Sequence, residues 1–580
     1  MAALAARYRV SPRGGMGVHR DIASALAAAA RKNRPARIEI APGHYAEPLL
    51  VRGEVELVAT GEPGSVTVIL PSGTALETAG TVLARGLVLA SRDADVVRCA
   101  AGTLTLEHTE VRAPGGVCVH ATPGTAVTLR DSAFRHGRVL FAGAGGHVER
   151  CRFTDAADNA LAAIEGARVS VRDSRFTGAR IHGVRVSGAQ AEVTGCELTG
   201  TGLAALFADT QAWLAVADCT IADVGAEAVG YLHHSRGSVD RVRVTGAEQG
   251  IAVAEGSDPV VRGCVLTDCR DTGITVRAGR GRFEDCEVAE AGNVAVFVSE
   301  RGAPEVHGLR VAGGNVGVVV TGTGSRGAFH GVRVTDLTGV ALRAYEGGKA
   351  VFRDVRVERC VTHLETRGDA GTTAEVDGGV FTDFSMSAVE VLGTSRVTLR
   401  QVTAERGMVG FAVAEEAQLF LTDCEARAVT SAGAAALGQG RLVARRLRVA
   451  GSESLGLLAQ DRSRLEVHDS EFTDCASVGA FFRNEAGGLF VGCAVSGTGA
   501  AGVRHNGRVS MPSLRSSLSV EEWQDETNQP PPTHVTYNNN VTIHGGVRDS
   551  QLAVGNERVD MNQRIDSRRT PHTDEDGSPA

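Results

Sequence analysis

PVVRGCVLTDCRDTGITVRAGRGRFEDCEV, residues 259–288, states one short phrase twice. Val261, Cys264 and Leu266 return 22 residues later as Phe283, Cys286 and Val288. The step of two from Cys264 to Leu266 is the alternation of a strand with one face inward. The step of three from Val261 to Cys264 breaks that alternation, so the chain must bend between them. Gly263 and Asp285 stand at the bend, and both tolerate a left-handed backbone. Between the two phrases, Gly273-Ile274-Thr275-Val276 reads as another short strand.

Carried outward, the cysteine position becomes a column. It runs through Leu87, Thr109, Ser132, Cys151, Ser174, Cys196, Cys219, Val242, Cys264 and Cys286. It continues as Leu309, Val332, Val355, Gly379, Val402, Cys424, Leu447, Ser470 and Cys493. Seventeen of its eighteen spacings are 22, 23 or 24 residues; the exception is 19, from Ser132 to Cys151. The residue before the column is Gly or Asp in fourteen of nineteen coils, so a bend is expected at each. Helical repeats run longer than this, and the leucine-rich pattern is missing. The expectation is an all-β chain: a single-stranded right-handed parallel β-helix of about twenty 22–24-residue coils. The cysteines in the column read as small apolar fillers.

The boundaries follow from where the pattern holds. Residues 1–34 form an N-terminal segment whose Ala-rich stretch, Asp21 to Arg31, is expected to be a short capping helix. The β-helix occupies 35–505, with its first strand at Arg37-Ile38-Glu39-Ile40. Residues 506–533 read as a linker ending in Pro530-Pro531-Pro532, and 564–580 as a flexible tail. Between them, 534–563 alternates Val541/Ile543, Leu552/Val554 and Val559/Met561 with polar residues. It is too short for its own core, and strand pairing with itself or a partner would satisfy it.

Composition excludes several classes. A net charge of −8 gives no global support for nucleic-acid binding. No window holds the roughly 18 apolar residues of a membrane span. Met1 to Gly15 carries Arg7, Arg9 and Arg13 without an apolar run, so no signal peptide is expected and the location expected is cytoplasmic. The twelve cysteines lack zinc-type spacing, and no metal or other cofactor is expected.

Over residues 35–505 the coil pattern resembles the pectate-lyase-like right-handed β-helix superfamily. The entry Arg37-Ile38-Glu39-Ile40-Ala41-Pro42-Gly43-His44-Tyr45-Ala46-Glu47 is similar to that of pectin methylesterase-like chains, in the spacing of Gly43, Tyr45 and Glu47. That family's catalytic Gln, paired Asp and Arg stretches have no match here, nor does the epimerase Asp-Pro-His-Asp motif. In style the chain is similar to the generic β-helix proteins of actinobacteria. Ser550 to Asn556 resembles the RHIM-like amyloid motifs of bacterial signalling proteins, which implies an interaction motif at Gln551, Leu552, Val554, Gly555 and Asn556.

Chemistry-bearing candidates are few. Gly322-Thr323-Gly324-Ser325-Arg326-Gly327 matches a dinucleotide fingerprint but precedes a repeat strand, so it reads as a loop between coils. Asp155/Asp158 and Asp268/Asp271 sit in turns where Asp is favoured for backbone reasons. His233-His234 lacks a third metal ligand. The outward positions are more informative. His307, Arg310, His330, Arg333, Arg353 and Arg356 should form one cationic patch, suited to a uronate chain, a phosphate or an acidic protein segment. The reading is therefore a non-catalytic recognition scaffold with a partner-recruiting C-terminal motif. The alternative is a carbohydrate-active enzyme, a lyase, hydrolase or esterase, acting on an acidic polysaccharide.

Overall fold

The computed structural model describes residues 5–32, 34–505, 518–520 and 523–525. Within the stretch expected to be a linker, 506–533, Leu518–Val520 and Trp523–Asp525 are instead strands that pair with Cys493–Ser496 and Ala501–His505. Its other residues and the interaction motif at 551–556 lie outside the described residues.

Each coil contributes three strands, and each strand pairs in parallel with its counterpart one coil away. The coil from Arg168 shows the pattern: Arg168–Arg172, Arg175–Thr177 and Val184–Ser187. These pair with Gln190–Thr194, Glu197–Thr199 and Leu206–Asp209 of the next coil. Repeated along the chain, they form three ladders, here called the first, second and third. A rise of about 4.8 Å per rung makes about twenty coils a rod roughly 95 Å long.

The bend before the column is left-handed in all nineteen coils, not only where Gly or Asp stands. His108, Arg150, Arg241, Gln401 and Arg446 take φ between +49° and +54° there. Outside glycine this conformation is costly, and the stacked geometry supplies compensation. Arg150 grips the bend residue of the preceding coil, Asp131, with two bonds of 2.8 and 3.0 Å. Arg241 does the same to Asp218, and Arg446 to Asp423.

Inside the tube, like side chains stack on like. Phe134, Phe153 and Phe176 form a column with ring centroids 5.1 and 4.4 Å apart. All twelve cysteines are buried, free thiols. Cys196 and Cys219 sit on adjacent rungs without a disulfide.

The start of the rod differs from expectation. Its first rung is Ala6–Val10, ahead of the helix, and it pairs with Ala36–Ile40. Ala6, Tyr8 and Val10 alternate inward, but the helix inserted before the next rung lengthens the step to 30 residues (Ala6 to Ala36) and hides the repeat. The helix Ile22–Lys32 buries Ile22, Ala25, Leu26 and Ala29 on the tube's end. The Gly43-x-Tyr45-x-Glu47 spacing serves this cap. Glu47 accepts the amides of Ile22 and Ala23 at 2.7 and 3.0 Å, satisfying the helix N-terminus. The Tyr45 hydroxyl donates to the Ala41 carbonyl at 2.8 Å.

Candidate functional site

The cationic patch assembles at the corner between the first and second ladders. His307, His330 and Arg353 are register partners on three successive first-ladder rungs. Arg310, Arg333 and Arg356 are register partners on the corresponding second-ladder rungs. The four arginines are exposed and the two histidines half-buried.

The patch's arginines are uncommitted, although carboxylates flank it: Glu287 is the register neighbour of Arg310, and Asp377 that of Arg353. Elsewhere on the rod, many arginines are held by carboxylates one coil away, as in Arg262–Glu284, Arg359–Asp336 and Arg406–Asp383. No described residue makes an ion pair or hydrogen bond with the side chains of Arg310, Arg333, Arg353 or Arg356. Glu305 reaches His307 at 2.9 Å but none of the arginines. Burial, then the neighbouring His307 and Arg353, hold the His330 imidazole below its ordinary pKa.

The remaining sequence candidates turn out to be structural. Asp155 and Asp268 are left-handed bend residues, with φ of +53° and +51°. Asp158 is ion-paired with Arg138. His233 and His234 make a turn, and His233 bonds Glu255 at 2.8 Å. No group of three metal-ligating side chains converges among the described residues. Gly322 and Gly324 turn the chain between ladders, as a loop should.

Two polar clusters escaped the sequence reading. The shortened coil between Ser132 and Cys151 leaves a notch of about 440 Å³, lined by Asp93, Asp95, His136, Arg138 and Asp158. Three of its charged groups are already committed, since Asp95 bonds His120 at 2.6 Å and Asp158 holds Arg138. The second cluster lies on the outer face of the third ladder, where Arg343, Glu365 and Glu390 occupy successive rungs. Arg343 bonds Glu365 at 3.2 Å. Glu390 is 9% exposed and takes no part in an ion pair or hydrogen bond. Burial, then the charge of Glu365, pushes its carboxyl up to about 7.

Residues 139–311 and 363–518, more than half of the chain, match the family model described as a right handed beta helix region. The chain belongs to the right-handed β-helix family. No curated protein matches it. Among solved structures it is similar to a PL6 family alginate lyase, at 10% identity and a TM-score of 0.32 over 90% of this chain and 100% of that one. The catalytic unit of a GH87 alpha-1,3-glucanase from Streptomyces thermodiastaticus strain HF3-3 aligns at 16% identity and a TM-score of 0.28, over 65% of this chain and 70% of that one. A periplasmic alginate epimerase aligns at 9% and 0.23, over 60% and 77%. At these values the likenesses carry no argument about activity.

Proposed function

We propose that this rod recognises a carboxylate-bearing polysaccharide along the ladder of Arg310, Arg333 and Arg356. The observation that carries the reading is three guanidiniums in register, one per rung, none of them in an ion pair, with Glu287 beside the first of them left unpaired as well. Like charges facing each other across a rung destabilise a sheet by about 0.2–1 kcal/mol per pair. A polyanion presenting a carboxylate to each rung removes that repulsion and forms charge-assisted, forked hydrogen bonds. An acidic polymer suits the site better than a single small anion, because the charges are strung along the rod's axis. Guanidiniums neither take nor give protons at neutral pH, so the ladder itself supports recognition rather than turnover.

Affinity electrophoresis tests this. The full chain should be retarded in gels containing polygalacturonate or alginate, and not in gels containing a neutral glucan. The variant R310Q/R333Q/R356Q should migrate alike in all of them. A triple variant retarded as strongly as the parent refutes the proposal.

A further inference from the structure

We infer that Trp213 is the stacking platform of a subsite for one uronate ring, on the first ladder, whose later rungs carry His307, His330 and Arg353. The strand Trp213–Ala217 presents Trp213, Ala215 and Ala217 outward. An indole followed by two alanines clears a flat shelf across the first ladder. Trp213 is 40% exposed, and no Phe or Tyr among the described residues is as exposed.

The surroundings complete a sugar-sized seat. A trough of about 250 Å³ runs beside the indole, lined by Arg168, Ser170, Gln190 and Glu192. Register places Gln190 on one side of Trp213 and Arg236 on the other. The side chains of Arg168, Gln190, Glu192 and Arg236 have no hydrogen bond or ion pair with any described residue, although cross-rung pairing is common on this rod. A pyranose offers an apolar C–H face and a rim of hydroxyls. The indole face meets the first, while the amide and carboxylate meet the second. Two uncommitted guanidiniums, one on either side of the indole, favour a ring that carries a carboxylate.

Trp213 lies four rungs from His307, about 19 Å along the rod, and at the other end of the first-ladder strand, so a glycan chain crossing that face obliquely can reach both places. For the ligand's class the inference rests on the polysaccharide reading above. The subsite itself stands on different residues.

The test uses intrinsic fluorescence of the full chain, which has two tryptophans, Trp213 and Trp523. In W523F, emission then comes from Trp213 alone. Titration with trigalacturonate should shift or quench it saturably. The response should weaken about tenfold or more in W523F carrying Q190A and E192A. W213F, which keeps Trp523, should not respond. An emission spectrum of W523F that never moves, or that moves equally with neutral maltotriose, overturns the inference. Retardation of the same protein by polygalacturonate gels would then show that the arginine ladder still binds. Conversely, a saturable Trp213 response without retardation supports the subsite and removes the ladder.

Discussion

The imidazoles of His307 and His330 lie face to face, with ring centroids 4.8 Å apart and planes 7° from parallel. They lie beside the arginine ladder, on the first-ladder rungs of the same coils. Burial, His307 and Arg353 keep the His330 pKa low, so in the free protein it gains its proton only below the ordinary histidine range. A bound polyanion favours the protonated ring, so binding takes up a proton. Affinity for polygalacturonate should therefore rise several-fold between about pH 7.5 and pH 5.5, while the ligand stays ionised. H330Q should flatten the profile in the same electrophoretic assay. An H330Q profile as steep as the parent's would assign the effect elsewhere.

Reversing the middle charge of the ladder should separate stability from binding. R333E sets a carboxylate between Arg310 and Arg356 on adjacent rungs. Two repulsive pairs become attractive ones, worth about 0.5 kcal/mol each. The thermal midpoint should rise slightly, and retardation by polyuronate should be lost. A variant that melts lower, or still binds, contradicts the idea that unrelieved repulsion is kept for a ligand.

The fold was legible because nineteen coils repeat one column and its bend. The arginine ladder was legible for the same reason, since Arg310, Arg333 and Arg356 keep a fixed offset from that column. Glu365 and Glu390 were not. They lie on the third ladder, whose register depends on turn lengths, and 25 residues separate them where 22 separate Arg343 from Glu365. Trp213 occurs once and so leaves no repeated signal. The 19-residue spacing was visible as an irregularity, but the notch it opens is lined from four neighbouring coils and appears only when they are stacked. Tyr8 and Val10 alternate as a strand should, yet a helix stands between them and their partner rung.

The thiols should be silent in the native state. Burial pushes Cys151, Cys360 and Cys424 up to about 11 and Cys118 up to about 12, so thiolate is scarce at neutral pH. A chromogenic disulfide reagent should titrate none of the twelve cysteines in the folded chain and all of them in denaturant. Rapid reaction of any native cysteine would place it at the surface and contradict the inward column.

His363 should sensitise the rod to acid. It is fully buried where neighbouring coils carry Ala341, Ala388 and Gly410, and both ring nitrogens lack hydrogen-bond partners. It meets the edges of Phe381 and Phe384, and burial drives its pKa down to about 3. A histidine held neutral by folding stabilises less as pH falls below its unfolded value, about 6.5. H363L should raise stability by about 2 kcal/mol at neutral pH by removing unsatisfied polar atoms. It should also lessen the fall in melting temperature between about pH 6.5 and pH 4. An unchanged acid slope would assign that sensitivity to other groups.

Glu390 has the opposite sign. Its folded pKa stands near 7, above the ordinary 4.5, because burial and the neighbouring Glu365 both disfavour its charge. The native state thus holds a proton that the unfolded chain has already lost between those two values. The stability this proton supports is fully present below about pH 4.5 and is lost as pH rises through 7. Full ionisation costs on the order of 3 kcal/mol. E390Q keeps the shape and removes the charge, so it should melt higher than the parent above about pH 8 and near the parent at about pH 5. Because rungs unfold in neighbouring groups, amide exchange in Thr362–Arg367 and in the flanking third-ladder strands should slow in E390Q at alkaline pH. Equal exchange in parent and variant at both pH values would mean that Glu390 is solvated, and that the outer face of the third ladder is open at this rung.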